Sequence, residues 1–203
     1  MAEPLELWFD FASSYSYLAA ERVEVAAAAA GVELAWRPFL LGPVFKAQQG
    51  IDDSPFNRHP VRGAYMWLDL ERECARLAIP WRRPSVFPRN SVLAARVAHV
   101  ALDEPWGAAL VRRLFRANFA EDRDIATPGN VAALVAEVGG DAEATLARAV
   151  APQHKDRLRR ATEEALRRGV FGAPTFFVAG EPFFGNERLE LALTRASCGT
   201  IGA

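Results

Sequence analysis

Residues Val170 to Val178, Val-Phe-Gly-Ala-Pro-Thr-Phe-Phe-Val, restrict this chain more than any other stretch. A short aromatic strand starts at Thr175, and a proline stands directly before it. Proline has no N–H to give to a ladder, so a proline there needs a purpose other than strand pairing. A cis bond between Ala173 and Pro174 is one such purpose, since it turns the preceding backbone outward to face a ligand. The sequence thus predicts a site beside Ala173 and Pro174, faced by a second segment. The best match to that segment is Phe9 to Leu18, Phe-Asp-Phe-Ala-Ser-Ser-Tyr-Ser-Tyr-Leu.

The hydrophobic pattern around these two segments is readable. Leu5, Leu7, Phe9 and Phe11 alternate with Glu6, Trp8 and Asp10, which is the period of a strand. Ser13 and Ser14 follow where a hydroxyl can cap a helix. Leu18, Ala19, Val23 and Ala26 fall on one helical arc, and Gly31 is a good stop. A second strand runs from Val32 toward Pro38. Strand, helix, strand of this length predicts a βαβ unit with a parallel pair.

From Leu40 to Ser91 the chain is punctuated by Gly and Pro, with one helix read over residues 63–78. Helical periodicity follows around Leu93 to Ala101, Leu110 to Ala117 and Val131 to Val138, the last opened by Thr127-Pro128. No strand is read between Phe39 and Thr175. After Pro152 come a helix, the strands Thr175–Val178 and 182–184 joined by a short hairpin, and a last helix from Leu189. The expected fold is α/β: a thioredoxin-like βαβ plus αββα arrangement interrupted by an all-α insertion. Residues 1–39 and 153–203 would form the first part and residues 40–152 the insertion.

Composition narrows the function. A formal net charge of −1 and a pI near 6.3 argue against a dedicated nucleic-acid partner. No cationic segment followed by an apolar run opens the chain, and the apolar run Val25 to Ala30 is too short to span a bilayer. A cytoplasmic protein with no membrane partner is therefore expected. Cys74 and Cys198 form neither a Cys-X-X-Cys pair nor a metal spacing with His59, His99 and His154, so no metal site is expected. Cys74 shares a helical stripe with Met66, Leu70 and Leu77 and reads as a buried, inert thiol.

Several segments together resemble 2-hydroxychromene-2-carboxylate isomerases. They are Phe9-Asp10-Phe11 with Ser13 and Ser16-Tyr17-Leu18, Trp36-Arg37-Pro38-Phe39, Phe87-Pro88-Arg89-Asn90-Ser91, Val170 to Thr175, and Phe184 to Leu189. That family is related to kappa-class glutathione transferases and to the disulfide oxidoreductase A-like proteins. The resemblance implies an isomerase that uses reduced glutathione and acts on a small aromatic carboxylate, interconverting 2-hydroxychromene-2-carboxylate and trans-o-hydroxybenzylidenepyruvate in naphthalene-type degradation.

By position, Ser13 would face the glutathione sulfur, with Ser14 and Ser16 as alternatives. A helix N-terminus and a hydroxyl donor both favour a thiolate. Ala173 and Pro174 would pair with the cysteinyl backbone. Asn186 and Glu187 would meet the γ-glutamyl end, and Asn57 would also reach the ligand. Lys46 and Arg89 are cationic candidates for the substrate carboxylate or the glycyl carboxylate, and Tyr15 for the aromatic pocket. A homodimer is expected from the family. A kappa-like glutathione transferase, or a binding module without catalysis, fits the same residues as an alternative.

Overall fold

The computed structural model describes residues 2–198. The central strand is β1 (Leu5–Phe9). It pairs in parallel with β2 (Leu34–Pro38) and antiparallel with β3 (Thr175–Val178), and β3 pairs antiparallel with β4 (Glu181–Phe184). The sheet order is β2-β1-β3-β4. With neighbours on both edges, β1 has Leu5, Leu7, Trp8 and Phe9 all buried.

The two faces of β1 are covered differently. Leu5, Leu7 and Phe9 share a core with Leu18 and Val23 of α1 (Ser14–Ala30) and with Ala192 of α10 (Leu189–Cys198). Trp8 points the other way, to Phe39 and Phe177. Arg168 lies 3.8 Å over the Phe177 ring and donates to Glu6 at 2.7 Å, so the polar residue of this strand is matched from across the sheet.

The βαβ unit is formed as its pattern predicts. Helix α1 ends at Gly31, whose φ of 65° lies in the left-handed region that glycine tolerates. The β3–β4 hairpin turns on Ala179 and Gly180, both at positive φ (48° and 84°), which matches the twist of a two-residue hairpin. The Ala173–Pro174 bond is cis, and so is Phe87–Pro88.

Between β2 and β3 the described chain is helical: α2 (Leu41–Gln49), α3 (Pro55–Arg58), α4 (Pro60–Leu77), α5 (Val92–Ala101), α6 (Gly107–Phe119), α7 (Pro128–Glu137), α8 (Ala142–Val150) and α9 (Pro152–Arg167). The sequence reading lacked α2, α3 and α8 and began α4 three residues late. The cause is proline: Pro43, Pro55 and Pro60 read as breaks, yet each sits in the first turn of a helix. The N–H groups of that turn have no helical partner to lose. Helix α8 is opened by Asp141, whose carboxylate accepts from the Ala144 N–H at 3.0 Å.

The helices share the core of the sheet. Phe115 of α6 packs against Phe9 and Phe11, at centroid distances of 5.7 and 4.7 Å. Cys74 is buried with Met66 and Leu70 in the same cluster, and burial pushes its thiol up to about 12. At that value the thiol is protonated and inert at neutral pH.

Candidate active site

Ser13 ends the turn after β1 and caps α1. Its Oγ accepts from the Ser16 N–H at 3.2 Å and donates to the Ala173 carbonyl at 2.8 Å. It is both a helix cap and the contact between the two segments that the sequence singled out. The Pro174 carbonyl accepts from the Gly185 N–H at 3.0 Å, which ties the proline loop to the turn Asn186–Arg188. The amide N–H groups of Ser14, Tyr15 and Ala173 have no acceptor among the described residues. The first two are first-turn donors of α1, where the helix dipole is positive.

These groups open onto a cavity of about 890 Å³. One wall is Asp10, residues 12–15, 171–174 and 184–187, and most of the rest of the lining comes from residues 40–43, Phe45, residues 52–56 and 87–92, with Arg62 and Asp69 from α4. Two buried struts hold the walls together. Asp10 is 2% exposed, and its carboxylate accepts from the Ala12 N–H at 2.9 Å, from the Leu41 N–H at 2.7 Å and from Ser91. Leu40 offers α2 no cap of its own, so Asp10 serves as one from outside. Burial pushes the Asp10 pKa up, and those hydrogen bonds pull it back down.

Arg89 is the second strut. Its guanidinium donates to Asn118 Oδ1 at 2.9 Å, to the carbonyls of Asn118, Asp122 and Arg123, to Ser85 and to the Asp122 carboxylate. Asn118 Nδ2 in turn donates to the Phe11 carbonyl at 2.9 Å, two residues before Ser13. Arg89 lines the cavity, but these donors are committed to the fold. With both terminal nitrogens engaged by the fold, Arg89 has the geometry of a brace in this wall.

The other expected residues divide. Tyr15 lines the cavity and donates to Asp69 Oδ2 at 2.8 Å; burial and the Asp69 charge push its phenol well above the usual range. Ala173, Pro174, Asn186 and Glu187 also line it. Asn186 is 4% exposed; its Oδ1 accepts from Arg22 at 2.9 Å and its carbonyl from Arg22 and the Leu189 N–H, while its backbone N–H has no acceptor among the described residues. Glu187 forms no hydrogen bond or ion pair among the described residues. Its carboxylate would lie 2.6 Å from a Cβ on Gly185, whose φ is 105°; only glycine leaves it room.

Lys46 and Asn57 stand outside this lining. Lys46 is exposed and pairs with Asp52 at 3.3 Å. Asn57 faces a second, shallower groove, and its Nδ2 donates to Asp53 at 3.0 Å and to the Phe87 carbonyl at 3.1 Å. Sequence reasoning missed Arg62, the lining cation with no hydrogen bond or ion pair among the described residues. Its signal was present: Arg62 and Asp69 are seven positions apart and share a helix face once α4 begins at Pro60. Also missed were Phe171 and Phe184 at the mouth.

Chemically, the site offers free amides and a hydroxyl at a helix N-terminus, suited to a sulfur or oxygen anion. Ala173 offers a free N–H and a carbonyl, the pair that an extended peptide uses to add as a strand. Glu187 and Arg62 supply uncommitted charges of opposite sign, as a zwitterion with a second carboxylate requires. Among the described residues no group of three or more His, Cys, Asp or Glu side chains is placed to hold a metal. No helix among them is long and apolar enough to cross a membrane.

Comparison with known proteins agrees with this architecture. The family model of the DSBA-like thioredoxin domain matches residues 4–195. The chain is 30% identical to 2-hydroxychromene-2-carboxylate isomerase of Sphingobium xenophagum, over 94% of this chain and 96% of that one. It is 29% identical to glutathione S-transferase kappa 1 of Homo sapiens, over 92% and 88%. Among solved structures, a selenomethionine 2-hydroxychromene-2-carboxylate isomerase superposes with a TM-score of 0.85 at 27% identity, covering 94% of this chain and 92% of the other. By these matches the chain belongs to the DSBA-like thioredoxin domain family and, within it, to the 2-hydroxychromene-2-carboxylate isomerases.

Proposed function

We propose that this isomerase binds reduced glutathione along Ala173–Pro174 and interconverts 2-hydroxychromene-2-carboxylate with trans-o-hydroxybenzylidenepyruvate. The observation that carries the reading is Ser13: its hydroxyl donates to the Ala173 carbonyl, and the next two residues, Ser14 and Tyr15, bring free amides to the same cavity lining. When bound, glutathione supplies a thiolate nucleophile that adds to the conjugated open form of the acid and leaves again after the C–C bond has rotated.

The chain's own residues do the rest. Ala173 aligns a peptide through its N–H and carbonyl. Once a peptide N–H shares the Ala173 carbonyl, the Ser13 proton is free to turn toward a sulfur anion. That donor and the α1 terminus favour the thiolate over the thiol. Glu187 pairs with the γ-glutamyl ammonium and Arg62 with a carboxylate. The backbone at Asn186 meets the γ-glutamyl carboxylate. Residues 40–152 form the insertion that frames the second-substrate space, on a thioredoxin-like base of residues 2–39 and 153–198; the rest of the expected 1–39 and 153–203 lies outside the described residues. A cytoplasmic setting, rich in low-molecular-weight thiols, fits this chemistry.

The nearly equal identity to kappa 1 glutathione S-transferase supports a second reading, conjugation of another electrophile at the same Ser13. Calorimetry with reduced glutathione on the wild type and Ser13→Ala tests what the readings share: no binding at millimolar glutathione overturns both. Absorbance of the hydroxychromene acid, with and without glutathione, separates them. Turnover that needs glutathione but does not consume it is the expected result.

A further inference from the structure

We propose that Phe171 and Phe184 form an aryl-binding platform at the mouth of the cavity, holding the planar ring of the second substrate against the cis-proline loop. The proposal rests on the reading of Ala173–Pro174 as the thiol-peptide site.

The two rings lie 4.5 Å apart between centroids, tilted by 53°. They come from different elements, the loop before β3 and the end of β4, yet they meet over Gly172. A Cβ on Gly172 would lie 2.6 Å from the Phe184 ring, so the glycine is what allows the ring to come this close to the loop. The hydrogen bond from the Gly185 N–H to the Pro174 carbonyl holds the residue after Phe184 to the proline loop. Both rings are therefore fixed within a few residues of Ala173, the carbonyl that receives the Ser13 hydroxyl.

Their exposure sets them apart from the other aromatic residues of the cavity. Tyr15, Phe56 and Phe87 are partly buried against the main core, and Phe45 against the smaller one. Phe171 and Phe184 are 52% and 44% exposed and belong to neither core. Two adjacent phenylalanines left open to water are unfavourable unless something apolar covers them. The occupant indicated here is a flat aromatic ring. The tilted pair presents two faces to a third ring, in the edge-and-face geometry that aromatic groups prefer. A cavity of about 890 Å³ also leaves space beyond a tripeptide.

The test compares two stable conjugates by calorimetry, S-benzylglutathione and S-methylglutathione, so that the shared tripeptide cancels in the ratio of affinities. In the wild type the benzyl conjugate should bind about tenfold more tightly. Phe171→Ala and Phe184→Ala should each reduce that ratio about three- to tenfold, and the double variant should abolish it. Circular dichroism checks that each variant folds. Wild type that binds neither conjugate counts against the thiol-peptide site itself. A wild type that binds both equally, or variants that retain the benzyl preference, overturn the platform alone. So does a loss that appears in Phe45→Leu and not in the two variants. A dimer that dissociates in the double variant, with the benzyl preference intact, assigns the rings to self-association and likewise overturns it.

Discussion

The Ser13 hydroxyl donates to the Ala173 carbonyl at 2.8 Å, across 160 positions of chain. That bond joins the first helix to the cis-proline loop, and it uses the donor that a bound sulfur anion would need. The same Oγ accepts the Ser16 N–H, so the side chain stays in place when its proton is redirected. Capping and the proposed catalytic role would not compete at this residue. The cap fixes the oxygen, and the proton alone has to move.

Ser13→Ala should therefore separate two effects. The lost cap costs about 1 kcal/mol of stability, because the Ser16 N–H keeps no partner from the protein. Turnover should fall roughly a hundred- to a thousandfold, as for removal of one preorganised donor. Thermal melts and steady-state rates on the same preparation check both. A variant with the stability loss and full turnover would leave Ser13 as a cap only.

The two arginines of the cavity should respond in opposite ways. Arg62 is exposed and unpaired, so Arg62→Gln should raise the Kd for a carboxylate ligand about fivefold with little change in melting temperature. Arg89 is 7% exposed and anchors Asn118 and the carboxylate of Asp122, which the Ser85 N–H first and then the Arg89 contact hold down at about 2. Arg89→Ala should cost about 3–5 kcal/mol, since it strands buried acceptors. Calorimetry and denaturant titration on both variants provide the check. A stable Arg89→Ala protein with weakened binding would return Arg89 to the ligand.

This contrast also marks what the sequence could and could not convey. Alternation in β1, the α1 arc and the proline before β3 are local patterns, and the fold and the Ser13–Ala173 pairing were legible from them. Charge singles out Lys46 and Arg89, and likeness to a family asparagine singles out Asn57; neither says who else claims the side chain. Arg89 is claimed by Asp122 and Asn118, about thirty residues onward, and Asn57 by Asp53 and Phe87. Arg62 became visible only when Pro60 was placed at the start of α4 and not in a loop. Periodicity reports a face, and competition for partners is settled by segments far away in sequence.

Acid should weaken the fold through His99. This α5 residue is 6% exposed, bonded to Pro38, and its Nε2 has no partner. Burial, then Arg157, lowers its pKa from 6.5 to about 4, with His154 adding to the effect and Asp103 opposing it. The folded value lies below the unfolded one, so between them the unfolded chain binds the extra proton. The contribution is complete above about pH 6.5 and is lost as pH falls toward 4. Its size is about 3 kcal/mol. Denaturant titrations across that range should show the slope in the wild type and a flatter profile in His99→Leu, whatever the variant's stability at neutral pH. An unchanged slope would remove His99 as its source.

Glu187 gives the sharpest test of how the γ-glutamyl end is held. Its carboxylate is uncommitted and is kept beside the proline loop by the absence of a side chain at Gly185. If it meets an ammonium, glutathione should bind the wild type about fivefold more tightly than a des-amino analogue, the scale of an exposed ion pair. Glu187→Gln should remove that preference while retaining the shape of the site. Added salt should erode the preference in the wild type and have little to erode in the variant, because screening acts on the charge and not on the contact. Gly185→Ala should lose the preference too, since its Cβ would force the carboxylate away, although Glu187 itself is intact. A preference that survives in both variants would mean that the ammonium is held elsewhere. Loss in Gly185→Ala alone would point to the backbone turn and not to the charge.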